Sequence, residues 1–139
     1  MAAITIMLLL TGMALPLART QVQRTRELEL RRDLRDIREA IDRYKDKADA
    51  GEFEVKAGTY GYPPDLDTLV QGVEMKSTVG VKYKFLRRIP IDPMTGSADW
   101  GLRAMQDDPD STSWGGDNVF DVYTKSQAMA LDGTKYSDW

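Results

Sequence analysis

Hydrophobic and polar positions divide the chain into three regimes. Residues 1–18, MAAITIMLLLTGMALPLA, carry no charged side chain. From Arg19 the sequence turns over into RTQVQRTRELELRRDLRDIREAIDRYKDKAD, in which acids and bases alternate, yet Leu30, Leu34, Ile37, Ile41, Tyr44 and Ala48 recur at steps of four, three, four, three and four. That spacing lines six side chains along one stripe of an α-helix. No Pro or Gly stands between Pro16 and Gly51. The pattern therefore predicts one helix from residue 3 to 48, bent or loosened near Gly12 and Pro16, where proline removes a backbone hydrogen bond. On its other faces Glu27 and Arg31, Arg32 and Asp36, Arg35 and Glu39, Arg38 and Asp42, and Glu39 and Arg43 stand four apart. Such pairs support a helix by about 0.2–0.5 kcal/mol each. The apolar stripe spans only about three heptads, which favours packing on a local globule over a coiled-coil seam.

After Gly51 the periods become short. GYPPDLDTLV predicts an extended Pro-Pro stretch and a brief helix, with Pro64 in its first turn and Leu66, Leu69 and Val70 facing inward. VKYKFLRRIPIDPMTG predicts a strand running into an ordered turn at Pro90, Pro93 and Gly96. DWGLRAM and NVFDVYT alternate as half-buried strands, with Trp100, Leu102 and Ala104 on one face, and Val119, Asp121 and Tyr123 opposite Phe120 and Val122. Three strands at short spacing imply an antiparallel meander that covers the helix stripe. The expected fold is α+β: a long N-terminal helix, kinked near Pro16, packed on a small three-stranded antiparallel sheet. Its divisions are residues 1–24 (apolar helix), 25–50 (amphipathic continuation) and 51–139 (C-terminal head).

Composition narrows the function classes. The chain has 139 residues, a net charge of −3, no His and no Cys. Triads and zinc sites built on His or Cys are excluded, as is any disulfide framework. An acidic balance argues against a nucleic-acid partner, because such binding neutralises phosphates with surplus Lys and Arg. The uncharged stretch is long enough to cross a hydrocarbon core of about 30 Å. A cleavable signal peptide, ending at LPLA before Arg19, is the competing reading, but no Lys or Arg precedes that stretch to make a basic n-region.

The uncharged helix ending in Pro16, the continuation ELRRDLRDIREAIDRYK, GYPPDLDTLV, FLRRIPIDPMTG followed by a Trp strand, DNVFDVYTKS and the closing LDGTKYSDW occur in an order that resembles the major pseudopilins of type II secretion systems. More broadly it resembles the type IV pilin-like proteins, and the resemblance covers almost the whole chain. It implies a subunit held in the inner membrane with a periplasmic head, then polymerised into a helical filament that is periplasmic or extracellular and drives protein export. The implied partners are further copies of the chain, minor pseudopilins, an inner-membrane assembly platform and, before assembly, membrane lipid. By charge alone Arg19, Arg24 and Arg26 would hold the head on the cytoplasmic side; the resemblance implies the reverse. The family's basic leader, its processing glycine and the Glu at its fifth mature position are not among the residues of this sequence, which implies either a start upstream of Met1 or a variant with Thr5 in place of that Glu. Matching Pro16 to the family's kink proline puts Met1 inside the mature helix and Thr5 near the place of that Glu.

The resemblance also implies calcium in the C-terminal loop, a hard ion taking six to eight oxygens. In KSQAMALDGTKYSDW the candidate ligands are Asp132 and Asp138, with Leu131 and Ser126 as further oxygen donors. A rival group, Asp107, Asp108, Asp110 and Asp117, lacks EF-hand spacing and reads as turn chemistry. Two other functions compete with the pseudopilus: a type IV pilus pilin for adhesion or motility, against which the lack of Cys counts, and a membrane-anchored enzyme using a pair such as Asp107 and Asp121. No motif marks a catalytic pocket, and no enzymatic activity is expected.

Overall fold

The computed structural model describes the backbone of residues 2–139 and the side chains of residues 6, 7 and 16–139. Helix α1 runs unbroken over Ala2–Asp49, about 72 Å at 1.5 Å per residue. It passes through Gly12 and Pro16 as helix, and the Thr20 hydroxyl donates to the Pro16 carbonyl at 3.0 Å. The surroundings of Gly12, and any packing there that accompanies a bend, lie outside the described residues. Lys47 stands in the last turn, where a cation complements the helix dipole, and the chain turns off at Gly51 with φ 71°.

The apolar stripe is the core of the molecule. Leu30, Leu34, Ile37, Ile41, Tyr44 and Ala48 are buried, joined by Ala40, and the head closes over them with Leu69, Val119, Val122, Trp100 and Tyr136. At the upper end the rings of Tyr44, Phe53 and Phe85 pack with centroids 4.9–6.4 Å apart, and Tyr83 adds an edge contact to Phe85 at 5.0 Å. Burial pushes the Tyr44 hydroxyl above the usual phenol range, and the charge of Asp65 acts in the same direction.

Helix α2, Leu66–Gln71, is opened by Asp65, whose Oδ1 accepts from the Thr68 backbone N–H at 2.7 Å and its hydroxyl at 2.8 Å. Pro64 therefore precedes the cap and is not in the first turn. Leu66 and Leu69 are buried and Val70 is half-buried.

The predicted three-stranded meander is replaced by two separate antiparallel pairs. Strands β1 (Val73–Met75) and β2 (Thr78–Tyr83) form one; β3 (Gly101–Arg103) and β4 (Asp121–Tyr123) form the other, in register Gly101↔Tyr123, Leu102↔Val122 and Arg103↔Asp121. Two features divert the chain between them. The Phe85 and Leu86 N–H groups both donate to the Leu69 carbonyl, at 2.9 and 3.0 Å, pulling the chain down onto α2. Then Asp92, fully buried, fixes the IDPMTG turn: its Oδ1 accepts from Met94 N at 2.8 Å and its Oδ2 from the Thr124 hydroxyl just after β4. The first strand thus folds back on β1 instead of reaching β3. Strand parity also shifts before β4. Val119 N donates to Pro63 O and Phe120 N to Arg103 O, each at 2.8 Å, so Val119 and Val122 both point inward while Phe120 stays half exposed against the Tyr62 ring.

Candidate functional site

Two surfaces of α1 set what this molecule can do: a seam that clamps the head to the helix, and the helix surface beyond it. The seam follows one flank of α1 through Gln23, Glu27, Arg31 and Arg38, spaced at four, four and seven. Gln23 Nε2 donates to Tyr136 Oη at 2.8 Å and reaches the Met129 carbonyl at 3.3 Å. Tyr136 Oη donates in turn to Glu27 Oε1 at 2.7 Å, which also accepts the Leu131 N–H at 2.8 Å. Burial raises the Tyr136 hydroxyl above its usual range; the bond from Gln23 opposes that shift and Glu27 adds to it. The Arg31 guanidinium lies 3.8 Å from the Trp139 ring centroid. Arg38 donates through Nε to Asp121 Oδ1 at 2.7 Å and through Nη2 to the carbonyls of Val122 at 3.1 Å and Trp139 at 2.7 Å. On the opposite flank Arg43 Nη2 donates to Phe85 O at 2.8 Å.

The five predicted i,i+4 ion pairs are absent among the described residues. Glu27 and Arg38 meet partners in the head, where lower solvent exposure strengthens each bond; an exposed helix pair offers only a few tenths of a kcal/mol. Arg32 approaches Glu29 and Asp33 instead, at 3.9 and 3.5 Å. Asp33 is almost fully buried beside a groove of about 900 Å³ between α1 and residues 85–91; desolvation raises its carboxyl above the usual range, against the pull of Arg32.

N-terminal to Gln23 the helix leaves the head gradually: Ala18, Arg19 and Val22 still line a shallow groove with Met94, Ser126 and Ala128 of the head. Leu17 is 72% exposed and Val22 52%, and Arg19, Arg24 and Arg26 form no ion pair among the described residues. Most side chains of residues 1–15 lie outside the description; among the described residues no helix is long and apolar enough to cross a membrane.

Of the four residues offered as calcium ligands, Asp132 and Ser126 bond within the loop itself. Asp132 Oδ1 accepts from Thr134 N at 3.0 Å and Oγ1 at 2.6 Å, and these bonds lower its carboxyl below the usual range. Ser126 Oγ accepts from Ala128 N at 3.3 Å, the Leu131 N–H is taken by Glu27, and Asp138 lies exposed in a 3-10 turn, Tyr136–Asp138. Among the described residues no three Asp, Glu, His or Cys side chains gather around a metal-sized space. Asp107 Oδ2 accepts from Ala104 N at 2.7 Å and Gly115 N at 3.0 Å, organising the loop after β3, while Asp121 is held by Arg38.

The seam residues Gln23, Arg31, Tyr136 and Trp139 carried no sequence signal of this role; Arg31 and Arg38 read as members of helix pairs. The only hint was two aromatic side chains in an otherwise polar C-terminal stretch. Comparison with protein-family models, with curated proteins and with solved structures gave no match.

Proposed function

We propose that this chain is a structural subunit that polymerises into a pilus-like filament, the pseudopilus of a type II secretion system, and so drives protein export. The observation that carries the reading is the division of α1. From Leu30 onward its apolar stripe is covered by the chain's own head, while Val22 is half exposed at the edge of the head and Leu17, 72% exposed, belongs to the uncharged segment. Such a surface is costly in water and needs lipid or neighbouring helices to cover it. A store of subunits in a bilayer, later exchanged for a bundle of identical helices, supplies both covers in turn. The seam fits this work, because pushing on a filament loads the joint between rod and head. The resemblance adds minor pseudopilins and an inner-membrane platform as partners.

The test is Leu17→Lys together with Val22→Lys in the full chain expressed in cells. Both sites lie outside the buried core, so the head keeps its wild-type near-ultraviolet circular dichroism while filaments vanish from the sheared fraction. Filaments at wild-type yield would overturn the proposal.

A further inference from the structure

Strand β2 contains a built protrusion that serves no internal packing. The ladder pairs Glu74 with Lys82 and then Met75 with Thr78, so residues 79–81 bulge out of the sheet. Gly80, at φ 82°, makes the bend, and its N–H donates to Glu74 Oε1 at 2.9 Å. The result holds Val79 86% and Val81 60% exposed. Lys76 stands in the turn before them and Lys82 and Lys84 follow in the chain; these form no ion pair among the described residues, and with the Glu74 carboxylate on Gly80 N the segment keeps a basic balance. A basic, apolar knob of this kind asks for an acidic, apolar receptor.

The chain carries one. The loop between β3 and β4 exposes Met105 and Trp114 among Asp108, Asp110 and Asp117, none of which forms an ion pair among the described residues. The loop is held in shape by Asp107, by Trp114 Nε1 donating to Asn118 O at 2.7 Å and by Arg103 Nε donating to Ser111 O at 3.0 Å. Knob and loop sit on different flanks of α1. The knob lies on the side of Arg43, which bonds Phe85 O, and of Lys47, whose Nζ is 4.8 Å from the Tyr83 ring centroid. The loop's strand β4 lies on the side of Arg38, which bonds Asp121, and of Lys45, which faces the Tyr62 ring that packs on Phe120. At 100° per residue these flanks are roughly 140–180° apart round the helix.

We infer that the Val79–Val81 knob of one copy docks on the Met105–Trp114 acidic loop of the next, a contact that deepens the filament reading and rests on it for the setting in which copies meet. Two different patches that complement each other, set on different flanks, make a head-to-tail contact, and such contacts propagate as open helical assemblies instead of closing as pairs. Opposite charge around a small apolar centre fixes the register of the contact more than its strength.

The chain has no native Cys, so introduced thiols report without background. Two differently tagged full-length copies, Val81→Cys and Asp110→Cys, are co-expressed and treated in cells with a short flexible bis-maleimide. Mixed dimers of the two tags are expected, a ladder of higher species from a chain carrying both substitutions, and no product from either copy alone. Lys82→Glu with Lys84→Glu in the first copy should cut the mixed dimer about fivefold, and Asp108→Lys with Asp117→Lys in the second should restore it. Val81→Cys linking to itself would overturn the inference, because the contact would then be symmetric. Absence of the mixed dimer while sheared filaments form would overturn the docking and leave the filament reading standing. Mixed dimers without filaments would keep the docking and remove that reading, and absence of both would remove both.

Discussion

The Tyr136 hydroxyl donates to Glu27 Oε1 at 2.7 Å across 109 residues of sequence, and accepts from Gln23 Nε2 at 2.8 Å on the same flank of α1. One buried phenol therefore ties the C-terminal segment to two successive turns of the rod. Tyr136→Phe keeps the ring and removes only the oxygen. We expect a loss of about 1–2 kcal/mol in urea unfolding of the detergent-solubilised chain. The same hydroxyl gives a pH signature. Its folded value is raised above the ordinary 10.0, so its stabilising contribution is complete below that pH and lost as pH rises through the folded value. Wild type should lose more stability than Tyr136→Phe on titration from neutral into strongly alkaline solution.

Arg38 binds a carboxylate and two carbonyls at once. Arg38→Met should cost about 2–3 kcal/mol, since Asp121 and the carbonyls of Val122 and Trp139 lose their donor. Arg38→Lys should recover less than half of that, because a single ammonium cannot reproduce the guanidinium fork. Urea midpoints of the three proteins decide the point; equal midpoints for wild type and lysine would show that only the charge matters.

Asp33 titrates in the same sense as Tyr136, at the acid end of the scale. Its carboxyl is raised by burial, so it contributes most stability when protonated and loses that contribution as pH rises through its folded value, which lies above 3.8. Asp33→Asn should raise the urea midpoint at pH 7, and the gain should shrink toward pH 3. A midpoint lowered at pH 7 would mean that Arg32 outweighs desolvation.

Gly101 lies under the Tyr123 ring, and a Cβ there would stand 2.3 Å from the ring carbon Cζ. The ring cannot retreat freely, because Arg103 covers it with its guanidinium 4.1 Å from the centroid. Gly101→Ala should destabilise the head by about 2–3 kcal/mol through overpacking, measured by thermal or urea unfolding.

The helix was legible in the sequence because six apolar residues keep a 3.6-residue period over five turns, and only a helix satisfies that spacing. The α+β character was legible for the same reason of contrast. The sheet was not. Strands of three residues, such as β3 and β4, are too short to establish a period, and Val119 with Phe120 changes parity through bonds to Pro63 and Arg103 that no local pattern announces. The partners of Glu27 and Arg38 were misread because helix spacing shows only local neighbours, while both side chains meet residues more than eighty positions away. Asp107 was read as a turn residue, and its bonds to Ala104 and Gly115 are of that kind.

The most direct measurement is electron cryo-microscopy of material sheared from cells that express the full chain, paired with mass spectrometry of its N-terminus. Helical filaments are expected, with residues 1–24 bundled at the axis and residues 51–139 facing outward. A monomer beginning at Arg19 or Thr20, with no filament containing the chain, would show the uncharged stretch to be a cleaved export signal and would contradict the filament function.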